Sequence, residues 1–157
     1  MRTLGLPFLN PLHFLAPLAL RLGLGIVFVV HGYSKLTNGP AEGFGGMLTG
    51  LGVAAPELTA WLVTIAELVG GILLLGGLLT RLATLPLIAT MVGAIILVKA
   101  DVGIIAPAGS GAGAELDIAL LAGLVALLFM GPGRFSLDHI VGIEAAAPER
   151  ELADNRH

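Results

Sequence analysis

Four runs of about twenty apolar residues dominate this chain, and a run of that length has few ways to fold. A helix rises 1.5 Å per residue, so about 20 residues cross the roughly 30 Å hydrocarbon core of a bilayer. The runs are 17–36, 58–78, 82–99 and 115–131. Backbone groups in lipid must be satisfied within the segment, which leaves helices or closed barrels. The alternation of apolar and polar residues that marks a membrane barrel is missing. The expected fold is therefore all-α: an integral membrane four-helix bundle. Composition agrees, since only 12% of the residues are charged against about 25% in soluble domains.

Composition also excludes several kinds of chemistry. There is no cysteine among the 157 residues, which removes disulfides, thiol catalysis, iron–sulfur clusters and thiolate-bound metals. Eight Lys+Arg and a net charge of −3 leave no electrostatic footprint for nucleic acid. His31 is the only histidine within a span, so neither a haem nor another metal site is expected in the chain.

The connections differ in character. Thr80-Arg81 is a tight turn, so the second and third spans are antiparallel neighbours. The stretch 37–57, TNGPAEGFGGMLTGLGVAAPE, is glycine-rich and amphipathic. Within it, Ala41 to Leu51 reads as a short interfacial helix. Asp101 to Ala114 reads as a flexible loop. The first span resembles a signal peptide in position only: Pro7, Pro11 and Pro17 interrupt the stretch, no small-residue cleavage site follows, and the span is expected to be retained. Residues 1–16 form an N-terminal segment, 17–143 the membrane domain, and 144–157 a charged tail expected to be disordered. Four spans put both termini on one side with Arg2, Arg21, Arg81 and Arg134, while Lys35 and Lys99 fall on the other. The positive-inside rule places both termini in the cytoplasm.

Ionisable groups within spans are costly and each is a functional hypothesis. At 100° per residue, Arg21, Gly25, His31, Gly32 and Lys35 fall within an arc of about 120°, a small and cationic face expected to look into the bundle. Glu67 shares its face with Ala60, Thr64, Gly70 and Gly71, where another helix can approach closely. Glu67 is mid-span, so it is paired, protonated or functional; His31 or Arg21 is within reach of it. His31 is a proton carrier or a packing histidine. Lys35 is a snorkelling cation at a helix end or a member of the same site. Glu115 shares a face with Ala119, Ala122, Ala126 and Phe129 and is expected to face the bundle, unless it serves only the helix dipole. Asp117 is expected at the headgroups. The third span is expected to present Ala83, Thr90 and Ala94 to its neighbours.

The runs LRLGLGIVFVVHGYSKL, AELVGGILLLGGLLTRLA and AELDIALLAGLVALLFMGPGRFSLD together resemble the DoxX family of small bacterial four-helix membrane proteins, over roughly Leu18 to Asp138. The resemblance implies a bacterial plasma-membrane location. It also implies that Arg21, His31, Gly32, Lys35, Glu67, Gly70, Gly71, Arg81, Glu115 and the turn Gly131-Pro132-Gly133 lie at positions the family tends to share. The family is named for a subunit associated with a quinol oxidase or thiosulfate:quinone oxidoreductase, and some members are linked to oxidative-stress defence. The resulting expectation is a membrane subunit of a quinone-linked redox system, with quinone as the ligand and a redox enzyme or a second copy of the chain as partner. Two alternatives stay open: a small-solute or proton transporter, and a non-catalytic scaffold that docks a redox enzyme at the membrane.

Overall fold

The structure is a computed structural model and describes residues 12–107 and 112–143. Helix α1 (Ala16–Thr37) opens on Pro17, where a missing N–H costs nothing, and carries Lys35 in its last turn. A π-helical turn, Pro40–Phe44, runs into the short α2 (Gly45–Gly50). These two pieces occupy the stretch expected to hold the interfacial helix. Helix α3 (Pro56–Gly76) also starts on proline. Helix α4 (Thr80–Gly93) contains Pro86 and continues as a second π-helical turn, Ala94–Val98. Helices α5 (Glu115–Met130) and α6 (Leu137–Val141) complete the chain.

The four long helices form an up-and-down bundle. Contacts run α1 to α3, α3 to α4, α4 to α5 and α5 back to α1, and the α1–α3 interface is the most extensive. Helices α1, α3 and α4 with its π turn are long and apolar enough to cross a membrane. Helix α5 has 16 residues and packs as the fourth member. The bundle is apolar outside as well as inside. Ile26, Val30, Leu62, Ile65, Ile72, Leu82, Leu85 and Phe129 are all exposed, as hydrocarbon rather than water would require. The core consists of Leu24, Phe28, Leu74, Ala83, Leu87, Met91, Leu124 and Leu127.

Glycine explains why α1 and α3 lie closest. A Cβ on Gly32 would fall 2.6 Å from the Leu68 backbone nitrogen, and one on Gly71 would fall 2.8 Å from that of Val29. The two backbones therefore touch, which small residues permit and which replaces the hydrophobic drive lost in lipid. The Gly32–Leu68, Val29–Gly71 and Gly25–Leu75 contacts keep one antiparallel register along the seam. Gly70 sits on the adjacent face of α3, against Leu87 of α4.

Two expectations need correction. Helix α5 is rotated relative to the expected orientation: Glu115 and Ala122 are exposed and Phe129 is 78% exposed, while Leu124 and Leu127 are fully buried. The reason is that α5 fills the core with leucine and meets α1 through Gly123, which packs against Leu24. Its alanine face is left outside. The connection from α4 to α5 is also pinned where it is described. Ile104 and Gly103 carbonyls accept from Glu115 and Ala114 N–H at 3.2 and 3.1 Å, and the Lys99 ammonium donates to the Ala112 carbonyl at 2.6 Å. The N-terminal residues 1–11 and the tail 144–157 lie outside the described residues.

Candidate functional site

The packing of the bundle is uneven. At the α6 end the helices close on one another. Toward the α2 end they part around a cavity of about 600 Å3, lined by α1, α3, α4 and α5 and by Phe44, Met47 and Leu48 beside them. Most of the wall is apolar. Six polar side chains reach it: His31, Lys35, Thr59, Glu67, Thr90 and Asp117. Several apolar residues of the wall, including Leu62 and Ile65 of α3 and Pro86 and Ala89 of α4, are exposed on the outside of the bundle. The cavity therefore opens sideways through a helix seam, toward hydrocarbon rather than toward bulk water.

An ion pair forms the polar centre. The Lys35 ammonium donates to Oε1 and Oε2 of Glu67 at 2.6 and 2.5 Å. Glu67 is 3% exposed, and the Lys35 side chain keeps 22% exposure. The same ammonium lies 4.9 Å from the centroid of Phe44, so the aromatic face covers what the carboxylate does not. The partner of Glu67 is thus Lys35, not His31 or Arg21. The seam register accounts for this. With Gly32 opposite Leu68, Lys35 lies only about half a turn beyond Glu67, within side-chain reach.

His31 lines the edge of the same cavity and is exposed, not turned into the bundle as its place on the cationic face of α1 led one to expect. Its Nδ1 lies 2.8 Å from the Val27 carbonyl of its own helix. A carbonyl only accepts, so Nδ1 carries the proton, and in the neutral ring Nε2 is left with its lone pair. Asp117 is the group across the seam. The Leu24–Gly123 contact fixes the antiparallel register of α1 and α5, and two turns further on it brings His31 level with Leu116 and Asp117. Asp117 is half-buried and makes no hydrogen bond among the described residues. It was expected at the headgroups, and Glu115 in the bundle; the rotation of α5 exchanges them. Glu115 sits in the first turn of its helix, exposed, with its carboxylate folded back over Gly113. His31, Lys35, Glu67 and Asp117 occupy a slab about 8 Å deep.

Arg21 belongs elsewhere, at the α6 end. It is 1% exposed and its Nη2 donates to the Phe135 carbonyl. Its Nε and Nη1 have no partner among the described residues, though the Asp138 carboxylate acts on its charge. Asp138 is the residue that the sequence pattern does not single out. Fully buried, its Oδ1 accepts the Leu79 N–H at 2.6 Å, and its Oδ2 accepts the Thr80 N–H and hydroxyl, both at 2.9 Å. It caps the first turn of α4 from a distant part of the chain. A sign of this lies in the sequence: α4 begins after Leu78-Leu79, which offer no capping oxygen of their own. Gly77, at φ 64°, makes room for the arrangement, since a Cβ there would collide with Nη1 of Arg21. Arg81 completes this end by donating from Nε to the Leu128 carbonyl at 3.0 Å, one of the carbonyls a helix C-terminus leaves open.

Comparison with known proteins places the chain's sequence in a family. The DoxX family profile covers residues 16–100, from the first residue of α1 past the end of α4. The chain belongs to the DoxX family. It is 37% identical to the uncharacterized membrane protein Rv3486 of Mycobacterium tuberculosis over 137 residues, 83% of each chain. It is 34% identical over 125 residues to CatD of Bacillus subtilis, whose name describes a candidate oxidoreductase, covering 79% of this chain and 85% of that one. No solved structure matches. Three of the four members of the cavity's charged and imidazole set, His31, Lys35 and Glu67, fall within the DoxX match, as do Arg21 and the glycines of the α1–α3 seam.

Proposed function

We propose that this DoxX protein is a quinone-binding membrane subunit of a redox system in the bacterial plasma membrane. The observation that carries the reading is the cavity itself: about 600 Å3, mostly apolar, open at a helix seam, with the Lys35–Glu67 pair and His31 in its wall. A pocket of several hundred Å3 with a few convergent polar groups suits a cofactor-sized ligand. An isoprenoid quinone would place its ring among Phe28, Phe44 and Met91 and leave its tail in the seam between α3 and α4. His31 and Glu67 would exchange protons with the ring oxygens. The name given to the Bacillus subtilis relative supports a redox setting. The electrons would come from a partner enzyme, docked on the side that carries Arg81 and Arg134, which we assign to the cytoplasm with both termini.

The test is a titration of the purified chain in lipid nanodiscs with short-chain ubiquinone and menaquinone analogues. Saturable binding is expected, weakened about tenfold or more by His31→Ala and by Glu67→Gln, which change the polar groups in the cavity wall. Absence of binding, or affinity indifferent to both substitutions, rejects the reading.

A further inference from the structure

The seam between α3 and α4 changes character along its length. Leu87 of α4 fills it against Gly70, where an added Cβ would lie 3.1 Å from the leucine side chain. That contact fixes the antiparallel register and sets Thr90 level with Glu67 and Gly93 level with Thr64. Beyond Leu87, toward the α2 end, the seam residues are small. Ala66 of α3 and Ala89, Gly93 and Ala94 of α4 all line the cavity. Between α1 and α3, small residues let two backbones touch. Here they leave a gap. Pro86 and the π turn interrupt the regular ladder of α4. No residue of that turn is buried, and its main packing partner outside α4 is α5. A Cβ on Gly93 would meet nothing within 4 Å among the described residues outside its own helix.

The height of the gap limits what can fill it. Ala89 is the midpoint of the 19-residue span Thr80–Val98, so the opening lies about 15 Å from either edge of the hydrocarbon. Pro86 and Ala89 are exposed there, and Met91 behind them is buried. From Pro86 to Leu97 the cavity wall follows about 16 Å of helix. The opening is therefore a groove, and it leads inward to the Lys35–Glu67 pair. A phospholipid can lend an acyl chain to such a groove, but its charged headgroup stays at the interface and cannot follow to the pair. A neutral ring on a single apolar chain meets no such penalty and occupies both parts of the cavity at once.

We propose that this groove is a tail subsite. The ligand passes in sideways at mid-bilayer, its ring goes to the Lys35–Glu67 pair, and its one isoprenoid chain lies along Ala66, Ala89, Gly93 and Ala94. This rests on the quinone reading above and adds what the cavity selects: a neutral head with a single prenyl chain, admitted by the small size of Gly93 and Ala89. The chain exchanges lipid for helix surface, so apolar transfer contributes little and the groove selects by steric fit.

The test uses the full chain in nanodiscs and two ubiquinone analogues, one with a chain of two isoprene units and one with a methyl group in its place, each concentration expressed per mole of lipid. Gly93→Leu, which puts a side chain into the groove, should weaken the tailed analogue about tenfold or more and leave the tail-less one within about twofold. Its melting temperature should not fall, since the space is open and leucine is the better helix former. Ala89→Leu should act in the same direction. Val92→Leu, exposed on α4 but outside the cavity wall, should change neither affinity. A photoreactive group on the chain of the tailed analogue should label α4 between Pro86 and Leu97, and excess unmodified analogue should abolish that labelling. Labelling that is not displaced means that lipid chains share the groove, and overturns the selection. If Gly93→Leu binds both analogues as the parent does, or weakens both equally, the tail subsite is wrong and the quinone reading stands. If the parent binds neither analogue, the two fall together.

Discussion

The two ends of the bundle use charged residues in opposite ways. At the α6 end, Asp138 receives three hydrogen bonds from the start of α4, Arg81 donates to the end of α5, and Gly77 is shaped around Arg21. Helix ends that would be orphaned in lipid are satisfied there, while Arg21 keeps Nε and Nη1 without a partner among the described residues. At the α2 end, the Lys35–Glu67 pair is satisfied within itself, while His31 and Asp117 face open space. Buried polar groups that only hold a fold together tend to be fully paired. A half-satisfied set around a cavity is what a binding site looks like before its ligand arrives. The comparison separates residues that the same rule about intramembrane charge would treat alike.

If the contrast is right, substitutions at the two ends should differ in what they damage. Asp138→Ala should do most to stability, because it strands two N–H groups and a hydroxyl in a dry site; a loss of about 3 kcal/mol or more is expected, read as a lower melting temperature in detergent. A melting curve like that of the parent would show that the α6 end is not the lock. Lys35→Met should follow, at about 2–3 kcal/mol, by leaving the Glu67 carboxylate buried without a partner. Adding Glu67→Gln should restore much of that loss, and a double variant no better than the single would contradict the pairing. Gly32→Ala should cost about 1–3 kcal/mol by forcing α1 and α3 apart, with the melting temperature again as readout. Glu115→Gln should be smallest, within about 0.5 kcal/mol and without effect on ligand affinity, since its only role is beside an exposed helix start. A large effect there would move the site toward the loop 101–107.

Much of this was legible from residue order. Run length gave the spans, and rotation at 100° per residue placed Gly25, Gly32, Gly70 and Gly71 on packing faces, because a glycine in a span has a strong steric signature. The same rotation put Arg21, Gly32 and Lys35 on the interior side of α1, with His31 at its edge. The partner of Glu67 was not legible. Choosing Lys35 over Arg21 depends on how far α3 slides along α1, and that offset is set by backbone contacts such as Gly32 to Leu68. The orientation of α5 was not legible either, since both its leucine face and its alanine face are apolar and only packing against Leu24 decides between them. Asp138 escaped because its partners lie 58 and 59 residues away, a distance over which sequence periodicity carries no information.

The length of α5 has a consequence for the membrane around it. Its 16 residues rise about 24 Å, short of the roughly 30 Å of a bilayer's hydrocarbon core. A bilayer accommodates a span this short by thinning around it or by letting flanking side chains reach for the interface, and Glu115 and Asp117 stand in the first turn of α5.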